Sequence, residues 1–170
     1  MCSSDLGQVE SGAEIIQLFD SWAGILNEDQ FRRWIIGPTQ RIVEKLRQTC
    51  PGVPVIGFPR NVGTQAEIFV IETGVAGVSL DQETPLDWIV EALQPKCTVQ
   101  GNLDNQILIA GGKALDQATI KILDALSGGP FIFNLGHGVL PETPPEHVAR
   151  VADLVLGWPG SGENLGGEIT

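Results

Sequence analysis

Residues 131–138 read Phe-Ile-Phe-Asn-Leu-Gly-His-Gly, and this stretch shows the pattern on which the fold depends. A short apolar run ends at glycines, and a helix is predicted to follow from about 145 to 155. Such a run, bounded by turn residues, is typical of a parallel strand that is covered on both faces. The stretch therefore predicts one strand followed by one helix, a βα unit.

The same pattern occurs four more times toward the amino terminus. Asn27 and Gln30 form a capping-box pattern at the start of the first helix, and Pro38 is expected to kink or divide that helix. Five βα units predict an α/β protein with a parallel sheet. The five strands are predicted to begin near residues 15, 53, 76, 98 and 131, and the first four helices are predicted at about 27–48, 64–72, 85–93 and 113–126.

Two architectures accommodate five βα units. One is a complete doubly wound sheet of the flavodoxin type, which a length of 170 residues favours. The other is most of a (β/α)8 barrel, which typically needs about 250 residues and is favoured by the residues at the strand ends. Both architectures place the ligand site at the carboxyl ends of the strands.

Composition and charge exclude several classes of protein. Apolar residues make up 42% of the chain, which is enough for a core and excludes wholesale disorder. The net charge is −11, and no run of the sequence supplies the basic face that binding of nucleic acid or of an anionic membrane normally needs. Cys2, Cys50 and Cys97 form no CxxC pair and no disulfide framework, which indicates a reducing compartment. Without a signal peptide or a long apolar span, we expect a cytoplasmic protein.

Polar side chains follow every predicted strand. Because the carboxyl ends of parallel strands meet at one edge of a sheet, we expect these side chains to face a common cleft. They are Asp20, Ser21 and Trp22 after the first strand, Arg60 and Asn61 after the second, Ser79, Asp81 and Gln82 after the third, Gln100, Asn102 and Asp104 after the fourth, and Asn134 and His137 after the fifth.

Two of these residues are candidates for substrate binding. His137 lies between glycines, and an imidazole with a pKa of about 6.5 suits proton transfer or hydrogen bonding to an anion; the alternative is a loop histidine without a role. Ser21 lacks the GxSxG context of a nucleophile. It suits a hydrogen-bond donor to substrate, or a turn serine that satisfies a local backbone group. His147 is predicted to be structural.

The remaining candidates have weaker patterns. Arg60 is either a carboxylate-binding residue or a solvated loop arginine, and Asp81 and Asp104 are expected to cap the helices that follow them. Trp34 and Trp88 lie on apolar helix faces and are predicted to pack. No motif indicates a metal or a nucleotide phosphate, since HExxH, GxGxxG and GxxxxGK[ST] are all missing from the sequence.

Three stretches resemble the uroporphyrinogen decarboxylase family: Gln-Leu-Phe-Asp-Ser-Trp-Ala-Gly at 17–24, Val-Gln-Gly-Asn-Leu-Asp at 99–104, and Phe-Asn-Leu-Gly-His-Gly at 133–138. The sequence of residues 56–60 is similar to that of the bacterial members of the family. The resemblance implies a partial (β/α)8 TIM barrel, with about five carboxyl-terminal βα units in residues 12–156. Residues 1–11 then lie outside the family pattern, and residues 157–170 are expected to be a disordered tail.

The resemblance also implies a function. Members convert uroporphyrinogen III to coproporphyrinogen III without a cofactor, by removing four acetate carboxyls as CO2 in haem biosynthesis, and are typically homodimers. Ser21 and His137 resemble substrate-binding residues of the family, and Phe19 resembles a residue that lines the cleft. The family's catalytic aspartate and carboxylate-binding arginines lie upstream of these motifs. We therefore expect the isolated chain to be inactive, and its negative charge to repel a substrate with eight carboxylates.

Two positions depart from the family pattern, and two other interpretations stay open. Asn105 stands where proline is usual, and Asn61 stands where glycine is frequent. One alternative is a related zinc-dependent corrinoid or coenzyme M methyltransferase barrel, although Cys97 precedes its strand and is misplaced for a ligand. The other is an inactive fragment that aggregates or pairs through its open sheet edges.

Overall fold

The computed structural model describes residues 2–159, and describes side chains from residue 6 onward. The predicted tail therefore lies almost entirely outside the described residues. The strands are β1 (Ile16–Asp20), β2 (Val55–Pro59), β3 (Gly77–Ser79), β4 (Thr98–Leu103) and β5 (Phe131–Leu135). The helices are α1 (Cys2–Glu10), α2 (Glu28–Phe31), α3 (Gly37–Thr49), α4 (Gln65–Thr73), α5 (Leu86–Trp88), α6 (Asn105–Ala110), α7 (Gly112–Leu126) and α8 (Pro145–Leu156).

The five strands form one parallel sheet in the order β1-β2-β3-β4-β5. A doubly wound sheet reverses its strand order at a switch point, and this sheet has no reversal. Right-handed crossovers between successive neighbours place every connecting helix on the same face. The strand order therefore selects the barrel architecture over the flavodoxin type, which chain length had favoured.

The sheet is curved, as a segment of a barrel must be. Gln17 on β1 and Gln100 on β4 are three strands apart, which is roughly 14 Å in a flat sheet. Their side-chain amides nevertheless form a hydrogen bond, with Gln100 Nε2 donating to Gln17 Oε1 at 3.2 Å. The face that carries both glutamines is therefore the concave, inner face of the arc.

The two faces of the sheet differ in what covers them. The outer face packs against the helices through residues such as Ile16, Val78 and Val99, which are buried. On the inner face the outermost strands are open: Phe19 on β1 is 70% exposed and Ile132 on β5 is 37% exposed. Among the described residues, β1 and β5 each pair with a single strand. Five strands thus form an arc with two free edges.

The first connecting helix begins, and is divided, as its sequence predicts. Asn27 accepts a hydrogen bond from the Gln30 backbone N–H at 3.0 Å, and the Gln30 side chain accepts one from the Asn27 N–H, which confirms the capping box. A π-helical turn, Arg32–Ile36, separates α2 from α3, just before Pro38. Proline has no N–H to donate to the residue four positions earlier, so the helix is interrupted at this point.

Helix α1 and helix α6 were not predicted. In α1, Leu6 and Val9 pack against the core, so this segment is part of the folded unit. Helix α6 occupies the short connection before α7, and Asp104 is its N-cap. Within residues 2–159, no helix has the length and apolar character that crossing a bilayer requires.

Candidate functional site

The carboxyl ends of the five strands lie at one edge of the arc, which we call the rim. It consists of residues 19–24, 60–61, 79–84, 100–105 and 134–138. The strands are parallel and adjacent, so the loops that leave them contact one another in sequence around this edge. The rim is the place where a barrel of this topology binds its ligand.

The β1 end presents an exposed aromatic ring and an exposed hydroxyl. The Asp20 carboxylate accepts a hydrogen bond from the Trp22 N–H at 3.1 Å, which closes the turn around Ser21. Phe19 lies on the inner face, and its ring meets the Phe58 ring edge-on with centroids 6.0 Å apart. Because Phe19 and Ser21 are both exposed, both are free to contact a ligand above the arc.

The β2 end is packed directly against the β1 end. The Arg60 N–H donates to the Asp20 carbonyl at 3.0 Å, and the Arg60 carbonyl accepts from the Gly24 N–H at 3.0 Å. A Cβ on Gly24 would lie 2.6 Å from the carbonyl carbon of Asn61, so only glycine fits at this contact. This close approach is the physical reason for the glycine that ends the first motif.

Asn61 explains one departure from the family pattern. Its φ is +60°, a left-handed conformation in which glycine is unstrained and asparagine is tolerated. We expect Asn61→Val to lower the free energy of unfolding by about 1–2 kcal/mol, because a β-branched residue is strained there. Asn61→Gly is the control and should change it by less than about 0.5 kcal/mol. Urea unfolding of the two variants checks this, and equal losses would contradict it.

Asp81 is the centre of a buried hydrogen-bond network. The residue is 5% exposed, and its carboxylate accepts hydrogen bonds from the Asn61 N–H at 3.0 Å, the Glu83 N–H at 3.1 Å and the Thr84 hydroxyl at 3.1 Å. The Asn102 amide donates to the Asp81 carbonyl at 3.0 Å and to the Thr84 carbonyl at 2.9 Å. The network joins the ends of β2, β3 and β4 into one rigid section of the rim.

This network corrects one prediction and confirms another. Asp81 does not cap the following helix, because α5 begins only at Leu86 and its N-cap is Pro85. The carboxylate instead satisfies a turn and the neighbouring strand end. Asp104 is a true N-cap, and its carboxylate accepts a hydrogen bond from the Gln106 N–H at 2.8 Å.

His137 is half-buried in a loop that is held from two sides. The Gly136 N–H donates to the Leu103 carbonyl at 2.7 Å, and a Cβ on Gly136 would lie 2.8 Å from the Cα of Gln82. On the other side, the Asn105 side-chain amide donates to the Gly138 carbonyl at 2.9 Å. The imidazole is therefore carried on a backbone that its neighbours fix in place.

Asn105 accounts for the second departure from the family pattern. It is the first residue of α6, a position that suits proline, but proline cannot donate to Gly138. We expect Asn105→Pro to leave the free energy of unfolding within about 1 kcal/mol, because a lost hydrogen bond and a stiffer unfolded chain offset each other. Hydrogen exchange of the His137 and Gly138 amides should nevertheless become faster. Unchanged exchange in this loop would contradict the assigned role of Asn105.

Below the rim, three polar side chains form a layer on the inner face. Gln100 Nε2 donates to the Ser79 hydroxyl and to Gln17 Oε1, both at 3.2 Å. Gln100 and Ser79 are buried, with exposures of 5% and 3%. Sequence reasoning missed Gln17; the available signal was a single polar residue inside an otherwise apolar run.

Ser21 and His137 lie at the ends of the two outermost strands, β1 and β5. Both are on the rim, as predicted, and no hydrogen bond joins them among the described residues. Between them around the arc lie the Asp81 network and Arg60. A ligand that contacts both residues would therefore have to span the mouth of the arc.

Other predicted residues lie away from the rim. His147 Nδ1 is 2.9 Å from the Leu108 carbonyl, and its ring fills the space beside Gly111, which agrees with a structural role. Trp34 was predicted to pack, and this prediction is wrong. The residue is 59% exposed, and the Arg33 guanidinium lies 4.9 Å from the centre of its ring. Trp88 is half-buried against the core.

The structure gives Cys97 no place in a ligand site. It precedes β4, at the end of the strand opposite the rim, and burial raises the pKa of its thiol to about 11. A thiol with that pKa stays protonated near neutral pH, whereas zinc binds the thiolate. Among residues 6–159, no cluster of three or more His, Cys, Asp or Glu side chains has the arrangement of a metal site.

Comparison with known proteins places these motifs in one family. The sequence pattern of the family described as uroporphyrinogen decarboxylase (URO-D) matches residues 6–158. A uroporphyrinogen decarboxylase of Rhodospirillum rubrum is 55% identical over 150 residues, which are 88% of this chain and 43% of that protein. One from Gluconacetobacter diazotrophicus is 50% identical over 150 residues, 88% and 42% of the two chains. The chain thus spans less than half the length of these relatives.

Among solved structures, a methyltransferase from Methanosarcina mazei has a similar fold. It superposes with a TM-score of 0.69 over 86% of this chain and 42% of its own, at 19% sequence identity. At that identity the likeness concerns the fold alone. It agrees with the arc of βα units described above.

Proposed function

Because the chain belongs to the uroporphyrinogen decarboxylase family, we propose that its rim forms part of the site at which a closed barrel converts uroporphyrinogen III to coproporphyrinogen III. The family match over residues 6–158 is the observation that carries the proposal. The consecutive strand order and the curvature of the sheet support it, because both are what a segment of a barrel requires. Cys97 lies at the end of β4 opposite the rim, so its position does not support the zinc-dependent methyltransferase alternative.

The open edges of the arc suit closure by further βα units. A groove of about 460 Å³ beside β5 is lined by apolar residues that include Phe133, Leu135 and Val151. A second groove, of about 300 Å³, borders β1 and includes Phe19 and Ile35. Eight strands close a barrel of this type, so three further strands would complete the ring and cover both grooves.

The reaction defines what this chain's side chains must do. Each acetate arm loses CO2 after its pyrrole ring is protonated, and the charged intermediate needs electrostatic stabilisation. In the proposed complex the Ser21 hydroxyl and the His137 imidazole donate hydrogen bonds to carboxylate or pyrrole groups, while the Phe19 ring packs against the tetrapyrrole. The resemblance assigns the stabilising aspartate to the part of the family sequence that this chain does not match.

A reconstitution experiment tests the proposed activity. The 170-residue chain is co-expressed with the part of the Rhodospirillum rubrum relative that it does not match, and the complex is assayed for coproporphyrinogen formation. We expect conversion by the complex and none by either piece alone. Failure of the pieces to associate, or a stable one-to-one complex that releases no CO2, would overturn the proposal.

A single substitution tests the role of His137. We expect His137→Ala to lower kcat/KM of the reconstituted complex about 10- to 100-fold, the loss that follows from removing one hydrogen bond to a charged group. Glu142→Gln is the matched control, since that side chain is exposed farther along the same loop and does not line the groove beside β5. Equal activities of the two variants would remove His137 from the site.

The proposal also covers the localisation, the cofactor requirement and the oligomeric state of the protein. We propose a cytoplasmic enzyme that needs no cofactor and that forms a homodimer when its barrel is complete. Sedimentation of the reconstituted complex distinguishes one barrel from two. The dimer proposal fails if the active species contains a single barrel.

A further inference from the structure

We propose that Arg60 binds a carboxylate of the substrate at the end of β2. The inference rests on the proposed function and adds to it a residue that determines charge recognition. It follows from three observations: the backbone of Arg60 is fixed, its guanidinium has no partner in the described part of the chain, and it is the one arginine or lysine on the rim.

The backbone around Arg60 is held by hydrogen bonds from three directions. The Arg60 N–H donates to Asp20, its carbonyl accepts from Gly24, and the N–H of the next residue, Asn61, donates to the buried Asp81 carboxylate, each at 3.0 Å. A side chain that starts from such a fixed point is preorganised, so less entropy is lost when a ligand orders it.

The side chain is half-buried and unpaired. Arg60 Nε is fully buried and has no hydrogen-bond partner, and no carboxylate within the described residues lies within ion-pair distance of the guanidinium. Arg32 pairs with Glu28 and Glu72, and Arg150 pairs with Asp116. The arginines that form no ion pair apart from Arg60 are exposed to solvent: Arg33, Arg41 and Arg47. A partly desolvated cation without a counterion is costly, and such exceptions point to a missing ligand.

The position of Arg60 agrees with this role. Strand alternation assigns Arg60 to the same face as Phe58, whose ring contacts the exposed Phe19 on the inner face. The carboxylates at the neighbouring strand ends accept hydrogen bonds from other groups, Asp20 from the Trp22 N–H and Asp81 from three donors. Arg60 is the only lysine or arginine among the rim residues of a chain whose net charge is −11. We therefore expect the Arg60 guanidinium to be the positive charge on the rim that attracts a substrate with eight carboxylates.

Substitution in the reconstituted complex gives the first test. We expect Arg60→Gln to raise KM about 10- to 100-fold with a much smaller change in kcat, and Arg60→Lys to recover part of the loss, because lysine keeps the charge but not the planar pair of donors. Arg41→Gln removes the same charge from an exposed position on α3 and should leave KM unchanged. Equal KM values for Arg60→Gln and Arg41→Gln would overturn the inference.

A binding measurement on the complex of the 170-residue chain with its unlabelled complementary segment does not depend on activity. The arginine Nε–H signals of the ¹⁵N-labelled chain in this complex are followed while uroporphyrin I, an octacarboxylate, is added, and the Arg60 signal is assigned by its loss in Arg60→Gln. We expect a saturable shift of Arg60 and none of Arg41. If amides near Ser21 and His137 shift while Arg60 does not, the inference fails and the proposed function stands. If no signal on the rim shifts and the reconstituted complex is inactive, both fail.

Discussion

Gly136→Ala is expected to lower the free energy of unfolding by about 3 kcal/mol, since the added methyl group would overlap backbone that cannot move aside easily. The nearest atoms are the backbone nitrogen and Cα of Gln82 and the carbonyl carbon of Asp81. These atoms belong to the turn that the buried Asp81 network holds in place. The substitution therefore either separates the β5 end from the β3 end or strains both.

Gly138→Ala is the matched control on the other side of His137. A Cβ at Gly138 would meet no atom within 4 Å, so the free energy of unfolding should change by less than about 1 kcal/mol. Denaturant unfolding of both variants measures the difference. If the two substitutions cost the same, the close approach of the β5 loop to the β3 turn is not what holds His137 on the rim.

Asp81→Ala has the second large effect, an expected loss of about 3–4 kcal/mol. The substitution leaves the Asn61 N–H, the Glu83 N–H and the Thr84 hydroxyl without their acceptor at a buried site, and each unsatisfied donor costs about 1–3 kcal/mol before the site relaxes. The substitution should destabilise this part of the rim locally as well as lower the free energy of global unfolding. Hydrogen exchange of the Asn61 and Glu83 amides should accelerate more than exchange in the sheet.

Asp104→Ala provides the comparison, because Asp104 also accepts a backbone hydrogen bond on the rim. It satisfies one donor at a helix start, so its removal should cost only about 1 kcal/mol. Similar losses for the two aspartates, measured by thermal or urea unfolding, would show that the Asp81 network does not stabilise the rim beyond ordinary capping.

Features with a local cause were the ones that the sequence predicted well. The five strands begin within two residues of their predicted starts, because an apolar run bounded by turn residues is a local signal. The capping box of Asn27 and Gln30 is equally local. The rim positions of Ser21 and His137 followed from the same strand ends, although their contacts with substrate stay predictions.

Features that depend on distant partners were missed or misjudged. Asp81 resembles an ordinary cap in sequence, yet one of its donors, Asn61, lies 20 residues away. The strand order and the curvature that brings Gln17 to Gln100 are also non-local, so length alone favoured the wrong architecture. Trp34 fits the apolar spacing of its helix, but the π-helical turn in which it lies changes the face that it presents.

We propose that the carboxyl ends of all five strands form one binding edge. The most direct test uses the ¹⁵N-labelled chain in its complex with the unlabelled complementary segment, and maps the backbone amides that shift when uroporphyrin I is added. We expect shifts in residues 19–24, 60–61, 79–84, 100–105 and 134–138. Shifts confined to the opposite ends of the strands, at residues 53–54, 76, 97 and 130, with an unperturbed rim, would contradict it.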